Sequence, residues 1–287
     1  MPKGLFRSAL YVPCDNSRAL AKSVTLPADV LIFDLEDSVS FERKDAAREA
    51  LINFLGDKSK TSQYLVVRIN AMKTEWATHD LKAICRTHAH AVMLPKVEKQ
   101  EDIVRAATVM KTHNVNKHFP IWVNIETPAG VLGVEQIVAN KNLEAVVVGT
   151  NDLCRSLRIE RKLDRSGLMY SLQRILLSAR AHQLLALDGT FINIQDTQGL
   201  ALEARHGKNL GFDGKTMIHP SQIDIVNEAF SPTEADITRA QNIIRDYENA
   251  KNLGQAVIVV DGQMVEELHY EQAKALLKTV AIIHGHI

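Results

Sequence analysis

Glu126, Asp152 and Arg68 are the residues of this chain best set for chemistry, because each stands where a short apolar run turns polar. Glu126 directly follows IWVNI, and Asp152 directly follows VVVGTN. If those runs are adjacent parallel strands, both carboxylates project into one mouth. Two carboxylates with room for waters are the usual protein share of a Mg²⁺ site. Without an ion they would repel, and one would tend to keep a proton. The plainer alternative is that each carboxylate caps a helix or pairs with a lysine. That alternative leads for a lone acid at a strand end, whereas the metal reading leads for two on neighbouring strands.

Arg68 lies inside VVRIN. A guanidinium cannot shed its charge, so in an apolar strand it needs a partner. Pointed inward, it suits a carboxylate or a thioester carbonyl. A structural pair with Glu36 or Asp37, at the end of the second run, is the competing role. The two roles are compatible, with Asp37 orienting Arg68 while Arg68 binds substrate. Lys96, in LPKVE, suggests Schiff-base chemistry, which ranks below metal-assisted chemistry here. Asp196 and His219 also end apolar runs, and a histidine before proline at such a rim is more often a structural hydrogen-bonder. The eleven histidines show no HExxH spacing. Cys14 and Cys154 have no activating neighbour in sequence and read as packing thiols. The glycines around Gly130 and Gly149 form neither GxGxxG nor a Walker pattern. Nicotinamide and nucleoside triphosphate chemistry therefore have no support.

The elements that would position these residues are eight short runs at 8–13, 29–37, 64–70, 91–98, 120–127, 145–152, 189–196 and 214–220. Each is bounded and rich in β-branched or aromatic residues, as a strand buried on both faces of a parallel sheet should be. Helical stretches separate them. The one at 41–56 sets Ala47, Leu51 and Leu55 in a buried stripe against Glu42, Arg43, Lys44 and Arg48; that at 167–186 has the same character. Eight β-then-α units predict an α/β (β/α)₈ TIM barrel, with its chemistry where strands end and loops begin. The expected domains are a barrel over 1–230 and a C-terminal helical extension over 231–287. In the extension, a helix over 233–253 stops at Gly254, a strand follows at 256–262, and a last helix covers 269–284.

Lys+Arg and Asp+Glu number 34 each, so the zero formal charge gives no reason to expect nucleic acid or a membrane surface as partner. No apolar stretch is long enough to span a bilayer. Arg7, Pro13 and Asp15 break up the start, which does not read as a signal peptide. Three cysteines, far apart and odd in number, fit a reducing cytoplasm.

These residues together resemble the citrate lyase beta-subunit family, with its malyl-CoA and citramalyl-CoA lyase relatives in the HpcH/HpaI aldolase superfamily. The resemblance covers nearly the whole chain. It runs through RSALYVP, DLEDSV with Lys44 and Arg48 after it, VRIN, MLPKVE, IETPAG, GTNDL and DTQGLALEARHGKNLGFDGKTMIHPSQIDIVNEAFSP. It implies a TIM barrel with a C-terminal extension. It implies Mg²⁺ held by Glu126 and Asp152, and a substrate carboxylate or thioester end held by Arg68. Gly130 closes the Glu-Thr-x-x-Gly pattern, where a bare backbone would admit a ligand. The expected activity is a carbon–carbon lyase acting on a carboxylated 3-hydroxyacyl-CoA thioester, with Arg68, Glu126 and Glu266 catalytic and Arg68, Glu126, Gly130 and Asp37 binding substrate. Relatives assemble as homotrimers or hexamers. Their Gly-x-Met-(Ile/Val)-Asp segment sends its Asp to a neighbouring subunit; here the segment is Gly262-Gln263-Met264-Val265-Glu266. Two departures stand out: Asn151 where the family often has Glu, and Glu266 in place of that Asp. One added methylene moves a carboxylate by roughly 1 Å, enough to change catalytic geometry. The alternatives are a citrate lyase subunit serving an acyl carrier protein, a malyl-CoA thioesterase or malate synthase-like enzyme, and a non-catalytic acyl-CoA-binding protein. Arg18 and Lys22 are candidates for the CoA surface, against the reading of solvated helix charges.

Overall fold

The computed structural model describes residues 5–56, 61–113, 119–252 and 255–285. Along the chain come β1 (Ser8–Pro13), α1 (Ser17–Ser23), β2 (Val30–Asp34), α2 (Lys44–Leu55), β3 (Tyr64–Arg68), α3 (Trp76–Ile84), β4 (Ala91–Leu94) and α4 (Gln100–His113). Then follow β5 (Ile121–Ile125), α5 (Pro128–Val138), β6 (Leu143–Val148), α6 (Thr150–Leu157), α7 (Met169–Ala181), β7 (Leu185–Asp188), α8 (Thr197–Leu210), β8 (Gly214–Met217) and α9 (Ile223–Phe230). The eight strands pair in sequence order, and β8 closes onto β1. The expected (β/α)₈ barrel is the observed fold.

The strand period of two sorts the side chains. Along β2, Val30 and Ile32 face the barrel interior, while Leu31 and Phe33 face the helices. Asp34 continues the inward row and pairs in register with Arg68 of β3. An aromatic plug closes the barrel's N-terminal end. Phe6 and Tyr64 lie 5.3 Å apart, Tyr64 and Trp122 5.9 Å apart, and Glu144 accepts from the Tyr64 hydroxyl and the Trp122 indole N–H. The mouth at the strands' C-terminal ends is thus left for chemistry.

The stripe Ala47, Leu51 and Leu55 of α2 is fully buried. Each leucine there contributes about 1.5–3 kcal/mol. Lys44 and Arg48, read from sequence as solvent-facing, turn inward. Lys44 Nζ donates to the carbonyls of Leu35 and Glu36 (2.8 and 2.7 Å), and Arg48 Nε to Asp80 (2.9 Å). Both side chains are consumed in fixing loops beside the mouth.

A second group of charges lies outside the barrel wall, under α8. Lys215 Nζ donates to Asp188 (3.0 Å) and Glu203 (2.7 Å), and Arg165 grips Asp188 with both Nη atoms (2.9 and 2.5 Å). All four side chains are essentially inaccessible to solvent. Buried charges persist only when paired this fully.

Two details differ from the sequence reading. The seventh strand is Leu185–Asp188, not 189–196. Gln183 adopts a left-handed φ of 57° after α7, so the leucine-rich run, read as one helix, holds a helix and then a strand. The 189–196 segment is a loop with Ile192 exposed, despite its alternating pattern. The tail strand is a hairpin of β9 (Ile258–Val260) and β10 (Gln263–Val265), turned by left-handed Asp261 and Gly262. An Asp-Gly pair is a strong hairpin signal.

The chain divides into two compact units, one spanning Phe6–Phe230 and the other beginning at Ser231. The second holds α10 (Glu234–Asn252), the hairpin and α11 (Glu267–Ile283), with Ala240, Ile243, Tyr247 and Val265 in its core. The expected helix stop, Gly254, lies outside the described residues. No helix among the described residues is long and apolar enough to cross a membrane.

Candidate active site

A cavity of about 440 Å³ opens at the barrel's C-terminal mouth. Arg68, Glu126 and Asp152 all line it, with Asp34, Asn124 and Thr216 among the other walls. The three residues first singled out for chemistry, from β3, β5 and the β6–α6 junction, are therefore brought together.

Glu126 emerges directly from β5 and is 2% exposed. Its Oε1 accepts the Lys96 backbone N–H (2.8 Å), and its Oε2 accepts Asn124 Nδ2 (2.6 Å). Burial, reinforced by the charges of Glu36 and Asp152, pushes its pKa up to about 8 against the pull of Arg68. Asp152 sits in the first turn of α6 and is bridged on its outer side by Arg155 (2.7 Å). Gly149, which precedes that turn, gives Glu126 its space. A Cβ there would lie 2.3 Å from Glu126 Cβ and 2.4 Å from Oε2.

This donor set fits a hard divalent ion. Two carboxylates face one cavity, and burial first, then the acids nearby, disfavours ionisation of Glu126. Asn124 Oδ1 is buried beside them with no hydrogen-bond partner among the described residues. No group of three or more His, Cys, Asp and Glu side chains is gathered as a metal cage among those residues. Such a site leaves most coordination positions to water and ligand, as Mg²⁺ sites do.

Arg68 is gripped by Asp34, not by Asp37. Its Nε and Nη2 donate to the two Asp34 oxygens, both at 2.7 Å, and Nη1 lies 3.2 Å from Glu36 Oε2. The guanidinium also packs on the Tyr11 ring at 4.5 Å. Burial would raise the Asp34 pKa, but the Arg68 charge overrides it and holds Asp34 at about 2. Asp37 lines the cavity rim with its carboxylate 3.3 Å from Lys96 Nζ. Of the two acids the sequence offered, Glu36 does lie against Arg68 and Asp37 does not, but the bidentate partner is Asp34. Inward alternation along β2, Val30 then Ile32 then Asp34, was the signal that identifies it.

Gly130 does not line the cavity. A Cβ there would meet the Val97 carbonyl oxygen at 2.6 Å, so its bareness admits the neighbouring turn. Glu266 belongs to the second unit, where its N–H donates to His269 Nδ1 (3.2 Å) at the start of α11. The cavity is lined by residues of the barrel unit alone. Asp196 caps α8 by accepting the Gly199 N–H (2.8 Å), and His219 bonds to Ser221. Burial would lower the Lys96 pKa, but its bond to Glu36 raises it, which disfavours the neutral amine a Schiff base needs. Burial pushes the Cys14 thiol well up, in keeping with a packing role.

A neighbouring cavity of about 390 Å³ shares Tyr11, Pro13 and Ile218 with the first, and has Arg18, Lys22 and His219 among its lining.

Known proteins give the same picture. The family model for HpcH/HpaI aldolase/citrate lyase matches residues 7–220. A (3S)-malyl-CoA thioesterase of Cereibacter sphaeroides is 40% identical over 272 residues, covering 95% of this chain and 93% of the relative. Citrate lyase subunit beta of Escherichia coli K12 is 32% identical, covering 94% and 92%. The structure of CitE from Mycobacterium tuberculosis with magnesium, acetoacetate and coenzyme A superposes with a TM-score of 0.79 at 31% identity, covering 96% of this chain and 98% of that one. With the barrel, the mouth acids and these likenesses in agreement, the chain belongs to the HpcH/HpaI aldolase/citrate lyase family.

Proposed function

We propose that this protein is a Mg²⁺-dependent carbon–carbon lyase. Its substrate is a carboxylated 3-hydroxyacyl-CoA thioester of the malyl, citramalyl or citryl type, split into acetyl-CoA and an oxo acid or formed in reverse. The observation that carries this reading is the convergence of Glu126, Asp152 and an Asp34-gripped Arg68 on one cavity. Magnesium and coenzyme A in the solved CitE complex support it.

Glu126 and Asp152 would hold the ion, which when bound supplies a Lewis acid and an orienting template for the oxo-acid half. Arg68 carries five N–H donors. Two donate to Asp34, and Nη1, which lies 3.2 Å from Glu36 Oε2 without a hydrogen bond, keeps its two for a ligand. Those two suit the thioester oxygen, where negative charge grows as the carbon–carbon bond breaks. The substrate hydroxyl must lose its proton and the thioester enolate must gain one. We assign this transfer to Glu266, acting from a neighbouring copy in a homotrimer or hexamer. Arg18 and Lys22 are assigned to the CoA phosphates.

A second reading is hydrolysis of the same thioester, in which water attacks the carbonyl and the CoA thiol leaves. The 40% identity to malyl-CoA thioesterases favours it. Mass spectrometry of products decides between them, with malyl-, citramalyl- and citryl-CoA, an acyl-carrier-protein thioester, and EDTA controls. Chelator-sensitive acetyl thioester plus an oxo acid supports the lyase. Free CoA plus an intact hydroxy acid supports hydrolysis. No product from any thioester refutes both.

A further inference from the structure

Lys96 is a non-glycine residue in a strained backbone conformation beside Glu126. It follows β4 with φ 53°, in the left-handed region. For a residue with a Cβ this costs about 1–2 kcal/mol. Glycine would adopt the same backbone without that cost. The backbone conformation has a clear use: the Lys96 N–H reaches Glu126 Oε1 at 2.8 Å, and the next N–H, of Val97, reaches the Asn124 carbonyl at 3.3 Å. None of this needs a lysine side chain.

The side chain has its own task. Lys96 Nζ donates to Glu36 Oε1 at 2.6 Å and to Asp37 at 3.3 Å. Glu36 is 5% exposed, and its other oxygen faces Arg68 Nη1 at 3.2 Å. A chain of alternating charges therefore runs from Lys96 through Glu36 and Arg68 to Asp34. Without the ammonium, the buried Glu36 carboxylate keeps Arg68 as its remaining ion-pair partner among the described residues, and Arg68 is drawn between two acids. The residue joins the ion-holding side of the cavity, through its N–H, to the arginine side, through its ammonium.

We propose that Lys96 is a positioning residue with two separable halves. Its left-handed backbone sets Glu126 for a divalent ion, and its ammonium, through Glu36, sets Arg68 for the thioester. This rests on the lyase or thioesterase reading above.

The test compares Lys96→Gly, Lys96→Val and Lys96→Arg, reading Mn²⁺ affinity by calorimetry without substrate, and KM and kcat with the thioester turned over by the wild type. Lys96→Gly keeps the backbone and N–H and loses the cation. It should bind Mn²⁺ at least as tightly as wild type while its KM rises about tenfold or more, the scale of one lost charge-assisted bond. Lys96→Val, β-branched and unsuited to positive φ, should bind Mn²⁺ about tenfold more weakly than Lys96→Gly, since both lack the same charge. Lys96→Arg should restore the KM. A merely structural lysine would shift melting temperatures and leave these differences at zero. Wild-type KM in Lys96→Gly, or equal Mn²⁺ affinity in the Gly and Val variants, overturns the proposal while the function reading stands. A wild type that binds no Mn²⁺ and turns over no thioester removes the function reading, and the proposal falls with it. Lys96→Gly relieves backbone strain, and any stability lost with the ammonium beside buried Glu36 is read separately as a lower melting temperature, with Lys96→Arg as the variant that keeps the charge.

Discussion

Loading the site with a divalent ion should expel a proton, and the pH at which it does so follows from Glu126. Its pKa is raised from 4.5 to about 8 in the folded protein. The folded state therefore binds this proton more tightly than the unfolded chain. The group's contribution to stability is complete below about pH 4.5 and is lost as pH rises through about 8, a loss on the order of 5 kcal/mol in all. An ion that requires the carboxylate competes with the same proton. At pH 6.5 about 97% of the metal-free protein carries it, against about 10% at pH 9. Apparent Mg²⁺ affinity should thus rise about thirtyfold between those values and then level off. Calorimetry at pH 6.5 in two buffers of different ionisation enthalpy should count close to one proton released per ion, falling to about a tenth at pH 9. Glu126→Gln should abolish both the binding and the proton release. A pH-independent affinity with no released proton at pH 6.5 would refute the reasoning.

Gly149→Ala should push Glu126 aside, because the new Cβ would lie 2.4 Å from its Oε2. Overpacking of this kind costs about 1–3 kcal/mol, and Mn²⁺ affinity should fall at least about tenfold, on the same scale; unchanged affinity would count against Glu126 as a ligand. Asp34→Asn removes the anion that grips Arg68 and should cost about 3–5 kcal/mol in urea denaturation. Its KM should rise with it, and a normal KM would show that Arg68 needs no such anchor. Lys215→Met should destabilise by a comparable amount, about 3–5 kcal/mol, yet leave Mn²⁺ affinity unchanged, because the buried charges under α8 lie outside the cavity lining. A loss of ion binding in that variant would tie the two charge groups together.

What could be read without coordinates was whatever repeats or stands at an end. Eight bounded apolar runs announce a parallel barrel, and acids just past two adjacent runs announce a site at its mouth. The seventh strand escaped because Leu184–Leu187 continues a leucine-rich helix without any glycine or proline to mark the break; left-handed Gln183 supplies it instead. FINI in the next loop alternates like a strand although Ile192 and Ile194 are exposed. Asp34 was within reach, since strand parity puts it on the row of Val30 and Ile32, but its position before two further acids drew attention to Asp37. The roles of Gly149 and Gly130 were not legible at all. Each depends on which atom of a distant segment occupies the space of a missing Cβ, and that is set by packing between units far apart in sequence. The left-handed Lys96 belongs to the same class, because nothing about lysine signals that conformation.

The charges beneath α8 also bear on how the barrel forms. Arg165 precedes α7, Asp188 ends β7, Glu203 lies in α8 and Lys215 in β8, so the set is complete only when the last quarter of the barrel has assembled. Any partly built form that dehydrates one of them early leaves a bare charge out of water. Docking of β7, α8 and β8 should therefore be concerted and late, with a barrier dominated by stripping water from ions. A chain severed between β7 and β8 would leave Asp188 and Lys215 on separate fragments, and recombination would have to take both charges out of water together.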